Sequence, residues 1–122
     1  MSVLIVCDDL MFTSKVTTTA RAHGLDAAIA RTPAEAVRKG AAAACVLVDL
    51  HLPGLDVPAL LTGLRAGGST AQVIAFGSHV DTERLKAARD AGCDQVMPRS
   101  KFVRELETNL PQWASTPNSP GA

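Results

Sequence analysis

The chain has 122 residues, of which 47% are hydrophobic and 20% are charged, and this composition is typical of one globular domain rather than a disordered segment. Lysine and arginine number 12 and aspartate and glutamate also number 12, so the formal net charge is zero. Sequence-independent binding to nucleic acid needs excess cations, and a membrane span needs a long apolar run. The sequence has neither feature, so we expect neither partner.

The first half of the chain alternates strand and helix patterns. A continuous apolar run over residues 3–7 predicts a first strand, and apolar residues four positions apart between 12 and 20 predict the helix that follows. Residues 25–30 predict a second strand. The segment TPAE at residues 32–35 has the form of a capping box with proline at the first helical position, so a second helix is predicted to begin there.

The second half repeats this alternation. The remaining predicted strands cover residues 45–48, 73–76 and 95–97. An apolar stripe over residues 57–64 has helical spacing and predicts the third helix. Weaker stripes that begin at Leu85 and Phe102 predict a fourth and a fifth helix. A glycine ends each of the first four helical segments, at residues 24, 40, 67 and 92.

Five strands alternating with five helices predict an α/β domain, a single doubly wound (βα)5 unit with a parallel sheet covered by helices on both faces. We place this domain at residues 1–110. Residues 111–122 are rich in proline, serine and glycine, so we expect a disordered tail there, with Trp113 as the residue that would hold its first turn.

The three cysteines lie in or beside apolar segments, at positions 7, 45 and 93, and none belongs to a CxxC pair. We interpret them as small buried hydrophobic residues of a protein kept in a reducing compartment. The first residues, MSVLIVCDD, lack the basic region and the cleavage site of a signal peptide. These features predict a cytoplasmic protein.

Acidic residues follow two of the predicted strands. Asp8 and Asp9 come directly after the first strand, and Asp49 ends the third. In a parallel α/β sheet, ligands bind beyond the carboxyl ends of the strands. Three carboxylates that meet there repel one another unless a cation holds them, and hard oxygen ligands select Mg²⁺. Taken singly, an aspartate after a strand is more often a helix N-cap, and Asp8 or Asp9 is a candidate for that role.

The segments VLIVCDD, CVLVDLHLPGLD, VIAFGS and AARDAGCDQVMPRSKF resemble the receiver domains of two-component response regulators, over about residues 2–110. The resemblance implies a flavodoxin-like sheet in the order 2-1-3-4-5. It implies that Asp49 accepts a phosphoryl group from a histidine kinase in a phosphorelay. It also implies that Asp8, Asp9 and Asp49 bind Mg²⁺ together with the backbone carbonyl of His51. A carboxylate that attacks a phosphate anion needs such charge neutralisation.

Three positions depart from the pattern of that family. Gly77 stands where receiver domains usually carry threonine or serine, although Ser78 is adjacent. Arg99 stands at the place of a lysine, and Val96 at the place of an aromatic switch residue. Lys101 is a less favoured substitute for the lysine, because a solvated surface lysine is the more common role. We therefore expect the acceptor half of the site to be intact and the relay half to be altered.

His51 lies in a predicted loop, two residues after Asp49. We interpret it as a solvent-facing histidine that contributes only its backbone, rather than a metal ligand or an acid or base.

The leading hypothesis is a single-domain receiver, phosphorylated on Asp49, that signals by contact with a downstream protein. Only residues 111–122 follow the fifth helix, so we expect the output to lie in a partner. The alternative is a receiver-like interaction module that works independently of phosphorylation, which the residues at positions 77, 96 and 99 favour. A homodimer through the fourth and fifth helices is a further implication of the resemblance.

We do not expect an enzyme. A metal phosphatase with Asp49 as nucleophile needs an acid to protonate its leaving group, and no acidic residue stands two positions after Asp49. A nucleotide-binding Rossmann domain is disfavoured, because VCDDLMF replaces the glycine-rich turn.

Overall fold

Five strands and five helices alternate along the chain in a computed structural model that describes residues 1–117. The strands are β1 (Ser2–Val6), β2 (Asp26–Ala30), β3 (Cys45–Asp49), β4 (Gln72–Gly77) and β5 (Gln95–Pro98). The helices are α1 (Leu10–Ala22), α2 (Pro33–Gly40), α3 (Val57–Ala66), α4 (Thr82–Ala91) and α5 (Arg99–Ser115). All neighbouring strands are parallel, in the order β2-β1-β3-β4-β5. The predicted (βα)5 fold and its strand order are confirmed.

β3 is the central strand, and its side chains divide the core into two layers. All five of its residues are buried, as expected for a parallel strand covered on both faces. Leu47 belongs to a cluster that packs under α1 and α5, whereas Val46 belongs to a cluster under α2, α3 and α4. The alternation follows from the two-residue period of a strand.

The predicted start of α2 is confirmed in detail. The Thr32 hydroxyl accepts a hydrogen bond from the N–H of Glu35 at 3.2 Å, and Pro33 occupies the first turn. The predicted end of α4 is also confirmed: Gly92 ends this helix with φ of 109°, a left-handed conformation that favours glycine.

The predicted domain end at residue 110 is wrong, because α5 continues through Pro111 to Ser115. Trp113 is only 3% exposed, and its ring stacks on that of Phe102 with the centroids 5.8 Å apart. This burial outweighs the hydrogen bond that a proline inside a helix cannot donate. Residues 118–122 of the expected tail lie outside the described part of the chain.

No helix within residues 1–117 is long and apolar enough to cross a bilayer.

Candidate functional site

The carboxylate of Asp49 lies at the carboxyl end of β3, between β1 and β4, and is only 4% exposed. Three donors within residues 1–117 contact it. The backbone N–H of His51 donates to Oδ1 at 2.9 Å, and the thiol of Cys7 donates to Oδ2 at 3.4 Å. The guanidinium of Arg99 donates to the same Oδ2 at 3.2 Å and forms an ion pair with it. The buried charge is therefore compensated, as a carboxylate at this depth requires.

Arg99 is held by aromatic rings as well as by its ion pair. Its Cζ atom lies 4.7 Å from the ring centroid of Phe12 in α1 and 5.7 Å from that of Phe76 in β4. A planar guanidinium suits both contacts, because it stacks on rings and presents a rigid set of donors. Lys101, the less favoured candidate, is exposed on α5, and Arg99 is the cation that reaches Asp49.

Asp8 and Asp9 are exposed directly after β1. Asp9 is the N-cap of α1, and its Oδ1 accepts a hydrogen bond from the N–H of Phe12 at 3.1 Å. Over residues 1–117, no group of three or more His, Cys, Asp or Glu side chains is arranged to hold a metal ion. The carboxylates nevertheless supply the hard oxygen donors that Mg²⁺ prefers, at the same edge of the sheet as Asp49. The metal site stays a prediction.

Cys7 is a contact of Asp49 that sequence reasoning missed. Burial, assisted by the nearby charge of Asp49, raises the pKa of the Cys7 thiol to about 11, so the thiol stays protonated and acts as a donor. The register of the two strands explains the contact. Val6 of β1 pairs with Val48 of β3, so the residues that follow them, Cys7 and Asp49, lie side by side.

His51 is exposed, as predicted, but it contributes its side chain as well as its backbone. Its imidazole Nε2 accepts a hydrogen bond from the backbone N–H of Ser78 at 2.9 Å. A Cβ atom built on Gly77 would lie 3.3 Å from this Nε2 and 3.5 Å from Cβ of Leu50. The glycine therefore leaves the room that the imidazole uses. The Ser78 hydroxyl accepts from the N–H of Val80 at 3.4 Å, within its own loop.

A second contact joins the segment after β3 to helix α4, and sequence reasoning missed it too. Nη1 of Arg84, in the first turn of α4, donates to the carbonyl oxygen of Leu50 at 2.9 Å. Its Nε pairs with Asp81, the N-cap of the same helix, at 2.9 Å. The segment after Asp49 is thus bound directly to α4.

The remaining predicted position, Val96, is half-buried in β5 and packs against the core layer under α4. A cleft of about 370 Å³ lies beside these loops, lined by His51, Ser78, His79, Arg99 and Ser100. The structure thus gathers most of the predicted residues at the carboxyl edge of β3 and β4.

Comparison with known proteins shows that the chain is similar in structure to several solved proteins. No protein-family model matches the chain, and no curated protein is significantly similar in sequence. The receiver domain of a Francisella response regulator is 23% identical, with a TM-score of 0.75, and the match covers 93% of this chain and 95% of that one.

Two further solved structures are similar. The receiver domain of a sensor histidine kinase from Pseudomonas aeruginosa, with a magnesium ion coordinated in its active-site cleft, is 20% identical with a TM-score of 0.72 and covers 94% and 98% of the two chains. The beryllofluoride-activated receiver domain dimer of NtrC4 is 18% identical with a TM-score of 0.72 and covers 92% and 98%. The chain has the fold of response regulator receiver domains.

Proposed function

We propose that this chain is a signalling receiver that accepts a phosphoryl group on Asp49 and acts by contact with another protein. The Asp49 carboxylate carries the proposal, because it ends the central strand beside an open cleft and is matched to a fixed cation. The ion pair with Arg99 alone would be enough to stabilise a buried carboxylate that had only a structural role. At the end of the neighbouring strand β1, Asp9 caps α1, but the exposed side chain of Asp8 makes no hydrogen bond or ion pair with a described residue, and this supports a phosphoryl site.

The transfer itself is a displacement at phosphorus. One oxygen of Asp49 attacks the phosphorus of a phosphohistidine, and the O–P bond forms as the P–N bond breaks. The electron pair of that bond stays on the departing imidazole nitrogen, which takes up a proton. The product is an acyl phosphate. The Arg99 guanidinium and the His51 N–H already face the two carboxylate oxygens, so both are in place to compensate the charge of the entering group.

Mg²⁺ fits this site by its donor chemistry. Asp8, Asp9 and Asp49 would hold it together with the backbone carbonyl of His51, and the bound ion would supply further neutralisation of the phosphoryl oxygens. The magnesium in the Pseudomonas aeruginosa neighbour supports this assignment. The side chain of Asp8 makes no hydrogen bond or ion pair with any described residue, so it is available as a ligand.

A histidine kinase or a phosphotransfer protein would supply the phosphoryl group in the cytoplasm, and a downstream protein would receive the signal. In this role the chain is a phosphoprotein and not an enzyme with its own substrate turnover. A homodimer is part of the proposal, supported by the dimer described for the NtrC4 receiver domain.

One observation favours the alternative, an interaction module that works without phosphorylation. The guanidinium of Arg99 already pairs with Asp49 and stacks on two rings, so the negative charge is neutralised before any ligand arrives.

One experiment separates the two functions. The protein is incubated with millimolar Mg²⁺ and acetyl phosphate, and its intact mass is measured. We expect the wild type to gain the mass of one phosphoryl group and Asp49→Asn to gain none. Asp26→Asn is the matched control, because Asp26 is an exposed carboxylate at the opposite end of the sheet, and it should gain the group normally.

If the wild type gains no mass and its amide spectrum does not respond to beryllofluoride with Mg²⁺, phosphoryl acceptance is refuted and the interaction module remains.

A further inference from the structure

His51 is bonded to the residues on both sides of the cleft. Its backbone N–H binds Oδ1 of Asp49, and its imidazole binds the N–H of Ser78 in the loop between β4 and α4, each at 2.9 Å. The two strands that carry these loops, β3 and β4, are hydrogen-bonded neighbours. One residue therefore connects the candidate phosphoacceptor to the loop that leads into α4.

The imidazole of His51 occupies space that Gly77, which has no side chain, leaves open. Gly77 is buried at the end of β4, and a Cβ atom there would come within 3.3 Å of Nε2, closer than ordinary van der Waals contact. Any larger side chain at this position must move the imidazole or be moved by it. Glycine at 77 and histidine at 51 thus form one local arrangement.

We propose that His51 is a positioning residue that couples the charge on the Asp49 carboxylate to the position of the β4–α4 loop. The inference rests on the proposed function, because phosphoryl transfer would change that charge. The N–H of His51 makes a charge-assisted bond to an anionic oxygen, and such a bond weakens when the oxygen belongs to a neutral or esterified group. His51 then shifts, and the acceptor of the Ser78 N–H shifts with it.

The carbonyl of Leu50 extends the coupling to the helix. Leu50 precedes His51 and accepts from Arg84, which is fixed to the N-cap Asp81 of α4. Movement of the segment 50–51 therefore reaches the β4–α4 loop through the bond to Ser78 and the first turn of α4 through the bond to Arg84.

The bond to Ser78 also determines which imidazole nitrogen carries the proton. Nε2 accepts, so in the neutral ring the proton is on Nδ1. Nitrogen spectra of the His51 ring report this tautomer directly, and a histidine that merely faces solvent would not hold it.

The test compares amide spectra of four proteins: wild type, Asp49→Asn, His51→Ala and the double variant. Asp49→Asn removes the charge without any phosphorylation. We expect it to move the Ser78 amide resonance in the wild type, and to move it by less than about one third as much when His51 is absent. Hydrogen exchange at the Ser78 amide should rise about tenfold in His51→Ala, because its acceptor is lost. Equal Ser78 shifts with and without His51 would overturn the inference.

Two further variants sharpen the test. His79→Ala is the matched control: His79 is exposed in the same loop and makes no hydrogen bond with a described residue, so the response of Ser78 to Asp49→Asn should be kept. Gly77→Ala should reduce that response by less than His51→Ala does, because its Cβ atom displaces the imidazole by only a few tenths of an ångström, and it should change nothing further when His51 is absent. A full response in Gly77→Ala would refute the role of the open space.

Failure of the inference differs from failure of the proposed function. If acetyl phosphate adds a phosphoryl group to the wild type but the Ser78 response is unchanged without His51, the coupling through His51 is refuted and phosphoryl acceptance stands. If the response depends on His51 but no phosphoryl group is accepted, the coupling stands and the proposed function is refuted.

Discussion

Among the described residues, three chemically different donors surround Asp49, and its contacts explain why an arginine suits position 99. A carboxylate that is 4% exposed needs a compensating charge, and a lysine ammonium lacks the planar group that stacks over Phe12 and Phe76. Cys7 completes the set with a thiol that burial keeps protonated. The residues next to Asp49 thus form a site in which the carboxylate is held before any ligand binds.

The thiols predict how stability depends on alkaline pH. Burial raises the pKa of Cys7 from 9.0 to about 11 and that of Cys45 from 9.0 to about 12. Above pH 9.0 the unfolded chain loses these protons while the folded chain keeps them, so the free energy of unfolding falls as the pH rises from 9.0 through about 11. We expect a loss of about 1 kcal/mol for each of the two thiols at about pH 10, measured by urea unfolding at about pH 8 and about pH 10.

The control for this effect is a protein with alanine at both positions, Cys7→Ala and Cys45→Ala. Its stability should fall less between the two pH values, because Cys93 and the other titrating groups are common to both proteins. An equal fall in the variant and the wild type would show that the thiols do not contribute.

The order and type of the secondary-structure elements were predictable, because short apolar runs, a capping box and helix-ending glycines are local signals. The end of α5 was not. Pro111 is a local signal for a helix end, but Trp113 is buried in the core and stacks on Phe102, 11 residues earlier in the same helix. Burial of this kind overrides local propensity.

The last turns of α5 predict the length of the stable domain. A chain of residues 1–110 loses the buried Trp113 and Ala114, and we expect it to be less stable than a chain of residues 1–117 by about 3 to 5 kcal/mol. Urea unfolding of the two shortened chains measures the difference. Trp113→Ala in the longer chain should give most of the same loss, and equal stability of the two chains would contradict the role of the ring.

The molecule as a whole consists of two core layers that share one sheet, with the candidate site at the carboxyl edge where both layers end. The sequence predicted that Asp8, Asp9 and Asp49 lie at this edge, because the ends of the strands can be predicted from the ends of the apolar runs. It did not reveal the side-chain bond of His51 or the contact between Arg84 and Leu50, because these depend on loop conformations that no periodic pattern encodes.

The two layers predict additive effects on stability. Val16 in α1 and Val73 in β4 are fully buried in opposite layers. We expect Val16→Ala and Val73→Ala to lower the free energy of unfolding by about 1 to 3 kcal/mol each, and the double variant to match their sum within about 0.5 kcal/mol. Both should shift one urea transition, because the layers share the sheet. Two separate transitions would show that the layers unfold independently.

The position of Arg99 over two rings has a consequence for how chains of this type diverge. Three groups from different elements contact one another here: the guanidinium from α5, the ring of Phe12 from α1 and the ring of Phe76 from β4. Replacement of any one of them removes two of the three contacts. Replacement of the arginine by lysine would be tolerated more readily after the rings have changed than before. Among related chains, the residues at positions 12, 76 and 99 should therefore covary, and an arginine at 99 should occur with aromatic residues at the other two.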